Sequence, residues 1–171
     1  MSNFGMGIGE LYLSEVRKRL ATDRAQAEKA LKQVSDEELN WQPNAESNSL
    51  AIIIQHVGGN LVSRWTDFLT TDGEKPDRDR DGEFEPHRAS REQLMAVWDK
   101  GFACWEASLA GLTEADLGKT VYIRAQSHTV IEAIERSVSH TAGHIGQIIY
   151  LAKCIRSAEW QTITMPRRVK Q

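Results

Sequence analysis

The chain has little cysteine, no long apolar run and no excess of basic residues. Its two cysteines, Cys104 and Cys154, lie in separate helical patterns, which gives no sign of a disulfide scaffold and favours small buried apolar groups. The longest apolar run, Leu50 to Ile54, is far shorter than the roughly 20 residues that a membrane span requires. The formal net charge of −3 leaves no basic excess to neutralise phosphates. We therefore expect neither a membrane nor a nucleic acid as partner.

Several common functional motifs are also missing. The sequence has no glycine-rich phosphate loop, no G-x-S-x-G nucleophile motif and no His-Glu-x-x-His zinc motif. The first residues contain no basic segment followed by an apolar stretch, so we expect no signal peptide and a cytoplasmic location.

What the chain does contain is helical periodicity, and 171 residues are enough for one domain, residues 1–171, with a real core. Four segments repeat apolar residues at helical spacing: 8–34, 48–68, 90–110 and 129–155. The apolar stripe of the first segment comprises Leu11, Val16, Leu20, Ala27 and Leu31. Ser35, Ser90 and Thr129 each begin a capping box. Residues 74–89 fit no regular element, and residues 119–127 favour a loop or a brief extended piece. This pattern predicts an all-α fold, a four-helix bundle with a long crossover connection.

A faint internal repeat suggests how the helices pair. Residues 31–39 resemble residues 109–117, and each copy precedes a loop and a histidine-bearing helix. A duplicated helix pair would make the second and fourth helices equivalent partners. That arrangement would bring His56 towards His140 and His144.

These three histidines form the main candidate site. His140 and His144 are four residues apart, so on a helix their side chains lie on one face, about 5–6 Å apart at Cβ. The face also carries apolar residues, which argues against two ordinary solvated histidines. Buried neutral imidazoles need partners for both ring nitrogens, and three together would struggle to satisfy each other without a metal. Four glycines at 58, 59, 143 and 146 suggest room for close helix contact or for a ligand. Three histidines predict a metal site with one open position.

Other candidates are weaker. His128, at the start of the fourth helix, suits capping or a loop contact, and His87 lies in the charged connection and is expected to be solvated. Cys104 could be a nucleophile, but it lies among apolar residues, a setting in which thiols are less reactive. Residues 77–82 copy the start of a calcium loop, but Arg88 stands where the bidentate glutamate belongs. We interpret that segment as a salt-bridged surface loop, with a substrate lid as the weaker alternative.

At the level of motifs, the chain resembles the DinB/YfiT-like superfamily of metal-binding four-helix bundles. The resemblance rests on a histidine within the second helix and on His-x-x-x-His-x-Gly-Gln-Ile in the fourth. The stretches 48–60, 63–69, 72–75 and 144–147 resemble one branch known only as a domain of unknown function. The resemblance implies zinc or nickel on His56, His140 and His144, with water at the open positions, and a homodimer. Superfamily members with known activities include transferases and isomerases that use low-molecular-weight thiols such as bacillithiol or mycothiol.

Two classes of function remain open at this point. The first is a metal-dependent enzyme that transfers a low-molecular-weight thiol to a small electrophile, with a water-activating hydrolase as the alternative. Four side chains could assist by orienting substrate or holding an anionic group: Asn60, Arg64, Arg124 and Gln147. The arginines could equally form surface salt bridges. The second class is a non-catalytic metal-binding or stress-response protein, for which a closed site with a fourth protein ligand would be expected.

Overall fold

The structure, a computed structural model, describes residues 5, 7–85 and 88–166 and is predominantly helical. Within these residues the α-helices are α1 (Ile8–Leu31), α2 (Asp36–Leu39), α3 (Leu50–Trp65), α4 (Arg91–Ala110) and α5 (Val130–Arg156). Short 3-10 turns occupy Gly82–Phe84, Glu114–Asp116 and Ser157–Glu159. Two strands, β1 (Thr120–Ile123) and β2 (Gln126–Thr129), lead into α5.

Side-chain caps define where the helices begin. Ser35, Ser90 and Thr129 each accept a hydrogen bond from the backbone N–H three residues ahead, and the residue at that position bonds back. Ser49 caps α3 by accepting from the backbone N–H of Ile52. Each such cap satisfies donors that the helix leaves free. The predicted starts of these helices are therefore confirmed.

The predicted ends of two helices are one turn too long. α1 stops at Leu31 rather than residue 34, and α3 stops at Trp65 rather than residue 68. The backbone of Thr66 is extended and Asp67 takes a positive φ of 47°, so the α-helical ladder cannot continue through them.

The predicted apolar stripe of α1 is wrong at its first residue, Leu11. Leu11 is 38% exposed, whereas Leu13 is buried with Val16 and Leu20. At about 100° per residue, Leu11 lies on the side of the helix opposite to Val16 and Leu20, and Leu13 lies on theirs. The prediction that both cysteines are buried was also wrong: Cys104 is half-buried, with Sγ 3.4 Å from Thr66 Oγ1, and Cys154 is exposed.

A β-hairpin departs from the all-α prediction. β1 and β2 pair antiparallel, and Arg124 and Ala125 form the two-residue turn with φ of 55° and 60°. Such a turn usually contains asparagine or glycine, because other residues adopt positive φ at a cost. Here the Asp72 carboxylate accepts hydrogen bonds from the backbone N–H groups of Arg124 at 2.8 Å and Ala125 at 2.7 Å. Burial opposes ionisation of Asp72, but the backbone donors outweigh it and lower its pKa.

The core lies between the long helices. α3 packs along α4, α1 packs along α5, and α3 also contacts α5. α3 and α4 approach closely at Gly58 and Gly101, where an added Cβ on Gly101 would lie 2.8 Å from the Gly58 backbone. The interior includes Trp65, Trp98 and Trp105, all nearly inaccessible to solvent. Within the described ranges, none of the helices has the length and apolar character to cross a membrane.

Candidate metal centre

Two polar stripes meet between α3 and α5. On α3, the side chains of His56, Asn60 and Arg64 follow one another at four-residue spacing and are all buried. On α5, Arg136, His140 and His144 follow at the same spacing. Side chains four apart share a helix face, so each stripe is a local consequence of the sequence. Contact between the stripes is a property of the tertiary structure.

The three predicted histidines converge. Their nearest ring nitrogens all lie within 4.8 Å of one another, and His56 Nε2 is 3.1 Å from His140 Nε2. The ring centroids are 4.6–5.1 Å apart, and the rings are steeply inclined to one another. Two imidazole nitrogens bound to one tetrahedral zinc at about 2.0–2.1 Å would lie about 3.3 Å apart. The distance between His56 and His140 therefore fits a shared metal ion, and a nitrogen of His144 lies within 4.8 Å of both.

Hydrogen bonds on the outer side of two rings orient their inner nitrogens. His56 Nδ1 donates to Glu83 Oε2 at 3.0 Å, and His144 Nδ1 donates to Gln147 Oε1 at 2.8 Å. With the proton on Nδ1, each neutral ring presents the Nε2 lone pair to the centre. His140 differs, because its buried Nδ1 has no hydrogen-bond partner in the part of the chain that the structure describes.

The surroundings keep His140 and His144 in the neutral form. Burial, together with the His144 and His56 charges, lowers the pKa of His140 to about 3. Burial also lowers the pKa of His144, although its bond to Gln147 opposes the shift. Neutral imidazole is the form that binds zinc, nickel, copper or iron. The donor set therefore fits a divalent transition metal, and among the described residues the group that could hold one contains no fourth protein ligand.

Sequence reasoning missed Glu83, which fixes His56 from outside the trio. Its carboxylate also accepts two hydrogen bonds from Arg78, at 2.8 and 2.7 Å, and both side chains are largely buried. Burial raises the pKa of Glu83, but the bonds from His56 and Arg78 outweigh it, so the net pKa is lowered and the group is ionised. The sequence contained one signal, a glycine at position 59 in the helix that carries His56. A Cβ on Gly59 would lie 2.3 Å from Glu83 Oε1. The absence of a side chain at Gly59, three residues after His56 on α3, thus leaves room for this carboxylate.

The charged connection is more than the expected surface loop. It is salt-bridged as predicted, with Arg78 bonded to Glu83 and near Glu74, but these groups lie against the histidine site. The Phe84 ring packs 4.6 Å from the His56 ring. A 3-10 turn at Gly82–Phe84 supplies this contact, in a segment for which no regular element was predicted.

The four side chains predicted to orient substrate or hold an anionic group lie in two different places. Asn60, Arg64 and Arg124 line a cavity of about 370 Å³ that also reaches His56 and His140. Arg64 donates to the Gly73 carbonyl and to Glu74, and Arg124 donates to the same Glu74 carboxylate. Gln147 is not among the residues that line this cavity; it bonds to His144 instead.

The remaining candidates lie elsewhere. His128 is half-buried in β2, opposite Val121, and is therefore in a strand rather than in a loop or cap. His87 lies outside the described residues. Of the glycines near the histidines, Gly58 and Gly59 accommodate close neighbours, whereas a Cβ on Gly143 or Gly146 would meet no atom of the described residues within 4 Å.

The fold and the site together define a class: a mainly helical protein with three histidines grouped so that they could hold a metal. The chain belongs to the family described as "Protein of unknown function (DUF1572)", whose model matches residues 7–169. No curated protein matches the sequence. A solved structure, described as that of the conserved protein of locus from Enterococcus faecalis, is similar over 87% of this chain and 97% of that chain. It has a TM-score of 0.66 and 16% sequence identity, so the similarity concerns the fold alone.

Proposed function

We propose that this protein is a divalent-metal-dependent enzyme that transfers a low-molecular-weight thiol to a small electrophile. In this proposal zinc or nickel binds His56, His140 and His144 within a four-helix bundle of the DinB/YfiT-like kind. The supporting observation is the convergence of three imidazoles, without a fourth protein ligand in the described chain, beside a cavity of about 370 Å³. A structural zinc site is usually closed by four protein ligands, so an open site next to a cavity favours catalysis.

Each part of the site has a distinct task in this proposal. When bound, a divalent metal would lower the pKa of a thiol and stabilise the thiolate. Glu83 and Gln147 hold the rings of His56 and His144, so that the inner nitrogens keep their direction. The carboxamide of Asn60 lines the cavity, and no hydrogen bond engages it among the described residues, so it is free to orient a substrate.

The first test is the metal content of protein purified without an affinity tag. We expect about one zinc or nickel ion per chain, lost in a His140→Ala/His144→Ala variant. His128→Ala is the matched control, because it removes a half-buried histidine outside the site and should retain the metal. No metal in the wild-type protein after incubation with zinc and nickel would refute the proposal.

A second test separates the kinds of activity. The metal-loaded protein is incubated with an electrophile such as an alkyl halide, with and without a thiol, and the thioether product is measured. Thioether formation that disappears in the double variant supports thiol transfer. Metal-dependent cleavage of ester substrates without thiol would assign the hydrolase alternative, and a metal-loaded protein inactive in both assays would assign a non-catalytic metal-binding role.

A further inference from the structure

The cavity beside the histidines has an unusual charge. Its lining includes four arginines, at positions 64, 80, 124 and 136, and no acidic side chain from the residues that the structure describes. The chain as a whole carries a formal net charge of −3. Positive charge is therefore concentrated at this one place against the overall balance. Such a cleft raises the local concentration of anions.

Neighbouring acids only partly balance these arginines. Arg64 and Arg124 share a single carboxylate, that of Glu74, at 3.0 and 2.7 Å. Arg80 pairs with Asp81, whose side chain is 94% exposed, and water and salt screen an exposed pair of this kind so that it stabilises little. Arg136 forms no ion pair or hydrogen bond within the described part of the chain. Four cations thus face two carboxylates, one of which lies almost wholly in solvent.

Ring packing or backbone hydrogen bonds hold two of these arginines in place, and a third lies on the long helix α5. The guanidinium of Arg80 lies 5.3 Å from the Phe84 ring, and that ring packs on His56. Arg124 is held at the turn between β1 and β2, where Asp72 binds the strained backbone. Arg136 lies one helical turn before His140. Three separate elements therefore direct guanidinium groups to the same cavity.

Other arginines lie close enough to Arg64 to disfavour its charged form. Arg64 is largely buried, and burial lowers its pKa. The bond to Glu74 opposes the shift, while the charges of Arg78 and Arg124 add to it. A bound anion would relieve this repulsion.

We infer that the cavity binds the anionic group, a carboxylate or a phosphate, of a small substrate. Its main donors are Arg136, which has no partner in the described chain, and Arg80, whose partner Asp81 lies almost wholly in solvent. Guanidinium groups match both anions by paired hydrogen bonds. A volume of about 370 Å³ suits a small metabolite. This inference rests on the proposed function in one respect, since it identifies the substrate class of the same histidine site.

The test measures the binding of inorganic phosphate and of succinate by calorimetry at constant ionic strength. Both chelator-treated and zinc-loaded protein are titrated, so that an anion bound by arginine is distinguished from one bound by metal. We expect saturable binding to both forms, weakened about tenfold in Arg80→Gln/Arg136→Gln. The control is Lys18→Gln/Arg19→Gln, which removes the same charge from exposed positions on α1 and should bind as the wild type does.

The two anions identify the source of the negative charge. Tighter binding of phosphate would assign a phosphorylated substrate, and tighter binding of succinate would assign a carboxylated one. The inference is overturned if neither anion binds saturably, or if the arginine variant binds like the wild type. Failure of the metal proposal would show separately, as a wild-type protein that takes up no zinc, because the chelator-treated titration needs no metal.

Discussion

Replacing Glu83 with glutamine is the sharpest perturbation that the structure offers. Its carboxylate accepts three hydrogen bonds, one from His56 and two from Arg78, at 2.7–3.0 Å. A carboxamide has one acceptor oxygen and one donor nitrogen, so Glu83→Gln must lose at least one of these bonds. It also removes the negative charge beside a largely buried guanidinium.

The magnitude follows from the two partners. Loss of a carboxylate that orients a metal-binding histidine typically costs about 10–100-fold in metal affinity, which corresponds to about 1.4–2.7 kcal/mol. The Arg78 side chain, 5% exposed, would keep Glu74, at 3.6 Å, as its remaining carboxylate partner among the described residues. Breaking a buried ion pair costs about 3–5 kcal/mol. Because Glu74 remains, we expect a loss of about 2–3 kcal/mol in unfolding free energy, or about 4–12 °C in Tm.

Two measurements check this reasoning. Zinc affinity is measured by competition with a chromophoric chelator well below the melting transition, and Tm by circular dichroism of the metal-free protein. Asp77→Asn is the control, because it removes one negative charge from an exposed position in the same loop. A variant with lowered Tm but wild-type zinc affinity would show that Glu83 only neutralises Arg78 and does not position His56.

Three further predictions concern glycine and histidine. We expect Gly59→Ala to weaken zinc binding, because its Cβ would displace Glu83. Gly143→Ala, whose Cβ would meet no atom of the described residues, should add about 0.5–1 kcal/mol to the unfolding free energy. The same zinc affinity by chelator competition and the same urea midpoint for both variants would contradict this. Gly58→Ala should lower the unfolding free energy by about 1–3 kcal/mol, since its Cβ would lie 2.6 Å from Val97. An unchanged urea midpoint would contradict this and show that α3 and α4 move apart at little cost. The pKa of His140 is lowered from 6.5 to about 3, so the unfolded chain binds the extra proton between these values. The metal-free protein should therefore lose stability as pH falls from about 6.5 towards 3. The unfolding free energy of His140→Asn should depend less steeply on pH than that of the wild type, and identical slopes for the two proteins would refute this.

The part of the site that lies on α5 could be predicted from the sequence because its geometry is local. Four-residue spacing places His140 and His144 on one helix face in any α-helix. The prediction that His56 joins them needed more, namely the pairing of the second and fourth helices, which the internal repeat indicated. Glu83 could not be placed in this way, since it lies 27 residues from His56 in a segment without periodicity.

The long helices and the positions at which they begin follow from local sequence patterns. Four capping residues, Ser35, Ser49, Ser90 and Thr129, each accept a hydrogen bond from the backbone N–H three residues further on, so short-range order suffices. The tertiary structure alone decided that Glu83 and Arg78 pack on His56, and that arginines from α3, α5, the charged connection and the hairpin turn share one cavity. Those contacts join segments that are distant along the chain. The conformation of these segments depends on ion pairs and ring packing that no local sequence pattern encodes.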